Sequence, residues 1–253
     1  MSWAARRRLI IVASIVLVVV AILGLALYST LYHAPSCVDG IQNEGEAGID
    51  CGGPCAYLCS LGENAPVVRY AQVVPGGAGR VSVIALVDNP NREAYAAHAA
   101  YKLTLYGADH ALAAPIMQGT LELPAGASVP LFVANINTGN ATATTAFLEI
   151  DPASLAWQAG ADTRTKLAVS DIVVAGSLTT PRITATLSNP STAALSSVRV
   201  IVAAYDASGN VIAASQTIVA QIPGQGSAPV TFTWPSAFPS TPTRIDILPV
   251  LPL

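Results

Sequence analysis

The sequence predicts an all-β protein: two tandem β-sandwiches preceded by one transmembrane helix and a small disulfide-rich module. Three observations predict this. Leu9 to Tyr28 is a run of 20 residues without a charge. All 4 cysteines of the 253-residue chain lie between positions 37 and 59. From Val67 onward, one plan of short segments separated by turn residues is written twice. Composition agrees: 52% of residues are hydrophobic, only 11% are charged, and aromatics are 6%. Ala, Val, Thr, Ser and Pro dominate, which favours strands and turns over long amphipathic helices. The net charge of −3 leaves no basic face for nucleic acid.

The apolar run comes first. At about 1.5 Å per residue, a helix of this length spans roughly 30 Å, the thickness of a hydrocarbon core. Arg6, Arg7 and Arg8 precede it, and no Lys or Arg follows until Arg69. The positive-inside rule therefore places residues 1–8 in the cytoplasm as a short tail. It makes residues 9–30 a single span through the lipid bilayer and puts everything beyond on the extracytoplasmic side. Trp3 and Tyr28 flank the run, as interfacial anchors do. The competing reading is a cleaved signal peptide, whose apolar region would be about 7–15 residues with a small-residue exit. This run is longer, and its exit, LYSTLYHAPSC, lacks a clean small-residue pair. Lipidation at Cys37 is a third alternative, against the lack of a small, aliphatic lead-in. A pilin-type helix is rejected, because no acid occurs before Asp39.

Residues 31–66 follow as an extracytoplasmic cysteine-rich module and linker. The spacing is Cys37-x13-Cys51-x3-Cys55-x3-Cys59. An even number of cysteines in a short exported segment reads as disulfides, here two, with three pairings open. Structural zinc prefers C-x2–4-C pairs separated by a longer loop, which is not this arrangement. Asp39, Asn43, Glu46 and Asp50 interleave with glycines, and hard oxygen donors on a flexible loop are what calcium requires. A calcium site formed by those four residues is one expectation; an acidic, solvated loop stapled by disulfides is the other. The loop is not an EF-hand, since it lacks the D-x-D-x-D-G spacing. Apart from calcium, no cofactor is implied.

The pattern C-x-D-G-x-x-N-x-x-E-x-x-x-D-C-G-G-x-C, carried by Cys37 through Cys55, resembles a short cysteine module of exported bacterial and archaeal surface proteins. The resemblance covers about a tenth of the chain. It implies an extracellular location and disulfides, and no catalytic activity.

The repeated plan occupies 67–152 and 167–253, with a linker at 153–166. The first copy reads VSVIALVDNP (81–90), AAYKLTLYGADHAL (99–112), LELPAGASVPLFV (121–133) and TAFLEIDP (145–152). The second reads PRITATLSNP (181–190), VRVIVAAYDASGNVI (198–212), VAQIPGQGSAPVTF (219–232) and TRIDILP (243–249). Asn89-Pro90 matches Asn189-Pro190 at an offset of 100, and Tyr106 with Tyr205 and Pro124 with Pro223 at 99. Val81, Val83, Ala85 and Val87 alternate with Ser82, Ile84 and Leu86, as in a strand. Asn-Pro ends the strand because proline lacks a ladder donor. Asp206 to Asn210 and the Pro-Gly segments at 124–126 and 223–226 read as turns. Short strands at regular spacing with such punctuation read as sandwiches, each copy the size of one small immunoglobulin-like (Ig-like) domain.

The order of these segments resembles the FxLYD-type Ig-like domains. Tyr101, Leu103, Leu105 and Tyr106 carry the resemblance in the first copy; Val200, Val202, Tyr205, Asp206 and Gly209 carry it in the second. The first copy departs from the pattern by reading YGADH where YDxxG is expected. Such domains are found in exported or membrane-anchored proteins and are not known as catalysts. No Cys-Trp-Cys triplet marks an antibody-type domain.

Residues that could carry chemistry are sparse. His33, His98 and His110 lie apart, without a second His or Cys at ligand spacing. Ser170, His110 and Asp171 make a triad only on paper, since no serine sits in a nucleophile-elbow pattern. PGGAG at 75–79 is followed by neither a helix nor Lys-Ser/Thr, so it reads as a loop. Trp157 and Trp234 read as packing or inter-domain residues. Asn140-Ala141-Thr142 is a sequon. The sequence thus predicts a non-catalytic, single-pass cell-membrane protein presenting tandem sandwiches to an extracytoplasmic protein or envelope partner. The alternative is an accessory subunit of a larger membrane or envelope complex, and the third class, an enzyme, has the least support.

Overall fold

The computed structural model describes residues 3–31, 36–43, 45–77 and 79–253. Two compact units divide the chain, Met1–Cys55 and Ala56–Leu253.

The first unit opens with α1 (Trp3–Leu31). Leu17 and Leu25 are each 71% exposed, and apolar side chains are exposed along its whole length. A helix apolar on every face has no single face to bury against a soluble core, as in a membrane anchor or a signal sequence. The segment Arg6–Ser29 is long and apolar enough to cross a membrane. The guanidinium of Arg7 stands 5.5 Å over the Trp3 ring. Beyond the helix, residues 36–55 form a disulfide-closed loop.

The second unit is all-β, and its strands fall into two groups. In the first, β1 (Val67–Gly77), β2 (Arg80–Asp88) and β5 (Ser128–Asn137) form one sheet in the order β1-β2-β5. Facing it, β3 (Ala94–Gly107), β4 (Met117–Leu123) and β6 (Ala143–Ile150) run in the order β4-β3-β6. In the second group, β8 (Ala168–Ala175), β9 (Arg182–Asn189) and β12 (Gly226–Thr233) make a sheet in the order β12-β9-β8. The last sheet, β11-β10-β13, holds β10 (Leu195–Tyr205), β11 (Val211–Ile222) and β13 (Arg244–Val250). Each pair of sheets encloses its own core. Val83, Ala85, Val87, Leu103, Leu105 and Trp157 fill the first. Ile183, Leu187, Val200, Val202, Ile222 and Phe232 fill the second.

Strands β9 and β12 of the second sandwich alternate as strands with one buried face do. In β9, Ile183, Ala185 and Leu187 are buried while Thr184, Thr186 and Ser188 face outward. The Asn-Pro landmark has a stronger physical role than ending a strand. Asn89 is buried, and its amide donates to the carbonyls of Ala94 (2.8 Å), Leu123 (3.2 Å) and Pro124 (3.0 Å). Its Oδ1 accepts from the Asn91 backbone. Asn189 repeats this, donating to Ala193 (2.8 Å) and Pro223 (3.1 Å) and accepting from the Ser191 backbone. Each asparagine therefore ties the end of one strand to the proline turn between two others.

Two boundaries differ from the sequence expectation. The linker expected at 153–166 is ordered in its first half: β7 (Trp157–Ala159) pairs with β3, and Trp157 is 2% exposed in the first core. The end of the expected 31–66 module also belongs to the sandwich unit. The Leu58 amide donates to the Trp157 carbonyl at 2.8 Å, and Asn64 exchanges hydrogen bonds with Asn91. An indole is the largest buried side chain available, so burying Trp157 draws its neighbours onto the first sandwich.

The two sandwiches share a third core. The outward face of β1-β2-β5 contributes Val74, Ile84, Tyr70 and Phe132; the outward face of β10 and β11 contributes Ile201, Ala203, Tyr205, Val211 and Ala214. Gln72 Oε1 accepts from the Val211 amide at 2.8 Å across this junction. The corresponding face of β12-β9-β8 carries Thr184, Thr186, Ser188 and Thr231 instead. Apolar residues on both faces of β2 thus mark the sheet that is covered twice.

Candidate functional site

The cysteine loop is built by its carboxylates. Asp50 holds a left-handed backbone (φ 55°), which suits a short polar side chain. Its two oxygens accept from the amides of Asp39 (2.9 Å) and Gly40 (3.1 and 2.9 Å). Asp39 accepts in turn from the amides of Ile41 and Ser36 and from Asn43 Nδ2 at 2.9 Å. Glu46, 7% exposed, accepts through Oε2 from the backbones of Asn43 and Asp50. Gly53 (φ +57°) lets two chain segments meet, since a Cβ there would lie 2.2 Å from the Gly45 carbonyl oxygen. Cys37 and Cys55 are joined, and Cys51 and Cys59 are disulfide-bonded as well.

The four residues expected to bind calcium are therefore brought into one loop, where both oxygens of Asp39 and of Asp50 and Oε2 of Glu46 already accept from backbone amides. Calcium needs 6–8 oxygens converging on a point. Among the described residues, the group of ligand atoms lying within 4.8 Å of one another is Cys37, Glu46 and Cys55. Both sulfurs belong to a disulfide, so neither is a thiolate, and the 3.1 Å approach of Glu46 Oε1 to Cys55 Sγ has no proton between them. Asn43 Oδ1 is buried without a partner, one oxygen rather than a cage. His33 lies outside the described residues.

In the sandwich unit, a crevice of about 660 Å³ opens beside the shared core, lined in part by His98, Tyr101, Glu122, Arg164, Arg199 and Gln216. Several of these groups are already engaged. Arg164 grips Asp162 through two nitrogens (2.8 and 2.9 Å) and donates to the Leu251 carbonyl at 2.7 Å. Those hydrogen bonds hold the Asp162 carboxyl below its usual range. Glu122 accepts from the Leu253 amide at 2.7 Å. Tyr101 lies over Gly119, where a Cβ would meet its hydroxyl at 2.5 Å; burial pushes its phenol upward, with Arg199 opposing. The crevice is lined by polar residues together with apolar ones such as Leu121, Leu131 and Phe132.

The paper triad does not assemble. Ser170 Oγ donates to Asp171 at 2.9 Å, and among the described residues no histidine hydrogen-bonds to either. His98 and His110 are exposed. Trp234 donates from Nε1 to the Ala214 carbonyl at 2.9 Å and packs edge-on to Phe238, a packing role. A further cluster at the junction carries no motif in the sequence. Tyr70 and Tyr205 meet hydroxyl to hydroxyl at 2.9 Å, and the Arg244 guanidinium stacks 3.8 Å from the Tyr205 ring centroid. Burial and the bond to Tyr205 push the Tyr70 phenol above its ordinary value.

No family model and no curated protein matches the chain. Among solved structures, a transglutaminase of red sea bream aligns over 73% of this chain at 14% identity with a TM-score of 0.23. The chain spans 29% of that protein's length. A likeness that slight bears on neither fold nor activity.

Proposed function

We propose that the chain is a non-catalytic, membrane-anchored surface protein. In this reading α1 is an uncleaved signal anchor with Arg6, Arg7 and Arg8 in the cytoplasm, and the sandwich unit stands outside for structural or binding work. The observation that carries it is one chain combining a charge-free span, Leu9 to Tyr28, with cysteines that are all disulfide-bonded. A span needs lipid, and disulfides persist where the surroundings oxidise. The strand orders support reading the two sandwiches as copies of one FxLYD-like plan, as do the matching roles of Asn89 and Asn189. The crevice beside His98 and Arg199 is where an extracytoplasmic protein or envelope partner would seat.

Fractionation tests the anchor. The full chain should stay with membranes through alkaline carbonate and leave them in detergent. A variant lacking residues 9–30, supplied with a cleavable export signal, should be soluble outside the cytoplasm. Release of the full chain by carbonate would contradict the reading.

A further inference from the structure

We infer that Asn140 is an acceptor for N-linked glycan, an inference that rests on the extracytoplasmic placement proposed above. Two asparagines in the chain have a hydroxyl residue two positions on, Asn140-Ala141-Thr142 and Asn189-Pro190-Ser191. The second is barred by its proline. It is also barred by structure: Asn189 is 2% exposed, with its amide donating to two backbone carbonyls.

Asn140 is placed in the opposite way. It sits in the short connection from β5, ending at Asn137, to β6, starting at Ala143. The turn is closed by the Ala141 amide donating to the Thr138 carbonyl at 3.0 Å and by Gly139 donating to Asn137 Oδ1 at 2.9 Å. Gly139 takes φ +58°, a conformation that turns the chain sharply outward. Asn140, Ala141 and Thr142 are all exposed. Among the described residues, no hydrogen bond engages the Asn140 side chain. The Asn140 carboxamide and the Thr142 hydroxyl are therefore free to enter a transferase together, and a glycan there would meet solvent. The rigid strands on either side hold the acceptor out without themselves needing to unfold.

The donor is a sugar carried on a lipid-linked phosphate. A bond forms between Asn140 Nδ2 and the sugar's C1 as the C1–O bond to phosphate breaks. Nδ2 loses a proton, and the phosphate leaves on the lipid.

The test is intact and peptide mass spectrometry of the full-length protein purified from its native membranes, with and without Asn140→Gln, Thr142→Ala and Thr142→Ser. The expected result is a glycan mass on the peptide containing Asn140. It should be lost in Asn140→Gln and Thr142→Ala and retained in Thr142→Ser. An unmodified Asn140 overturns the inference. The same spectra read the cysteines. Unmodified Asn140 with intact disulfides removes the glycan alone, whereas unmodified Asn140 with free thiols removes the extracytoplasmic reading with it.

Discussion

Tyr70 of the first sandwich and Tyr205 of the second share a hydrogen bond of 2.9 Å between their hydroxyls, inside an apolar seam of Val74, Ile84, Ile201 and Val211. The pair lies in the seam that the two sandwiches share. Removing one hydroxyl by Tyr70→Phe should cost about 1 kcal/mol. Ile201→Asp puts a charge into the seam and should split unfolding into two transitions, one per sandwich. Calorimetry reads both. A single unshifted transition in Ile201→Asp would show that the seam does not couple the sandwiches.

The same junction fixes an alkaline limit. The Tyr70 phenol is raised above its unfolded value, so the neutral form is favoured in the fold. Its contribution is fully present below about pH 10, the unfolded value, and is lost as pH rises beyond it. On the acid side, Asp162 is lowered by hydrogen bonds from Arg164. Its contribution is present above about pH 4 and is lost as pH falls further. Denaturant titrations across pH should show the alkaline loss reduced in Tyr70→Phe and the acid loss reduced in Asp162→Asn.

Asn89 and Asn189 should be among the costliest polar positions to change. Each truncation to Ala leaves buried carbonyls without donors, which predicts a loss of about 2–4 kcal/mol apiece. Asn140→Ala, on an exposed turn, should change stability by less than about 0.5 kcal/mol. Equal effects at the three sites would remove the tie between strand end and proline turn.

In the cysteine loop, Asp50→Asn should loosen the fold without any calcium present, because the carboxylate accepts three backbone hydrogen bonds. Millimolar calcium should neither restore the variant nor raise the melting temperature of the wild type. A calcium-dependent rise that Asp50→Asn abolishes would reinstate the ion.

Much of the sandwich unit was legible because periodicity survives wherever one face is buried. Alternation located β2, and turn residues located the hairpin around Asp206 and the sheet-to-sheet turn at Pro223. The edge strand β8 was not legible, because a bulge at Asp171 (φ 52°) breaks its alternation and its side chains are largely exposed. The strand β7 was lost in the linker, since three residues show no period. The first copy's YGADH makes its turn with Asp109 accepting from Ala111 and His110 at φ 62°, where the second copy uses Asp206 and Gly209 at φ 82°. One turn chemistry shifted along the chain hides the likeness. The loop carboxylates were visible as a cluster, but sequence spacing cannot tell oxygens that face an ion from oxygens that face amides.

The central claim is that the sandwich unit stands on the far side of the membrane from Arg6, Arg7 and Arg8. Two reporters fused in turn after Leu253, one active only outside the cytoplasm and one only inside, test it directly. The expected result is activity from the outside reporter alone, reversed when Arg6–Arg8 are replaced by Glu and basic residues are placed after Tyr28. Activity from the cytoplasmic reporter in the unaltered chain would contradict the account.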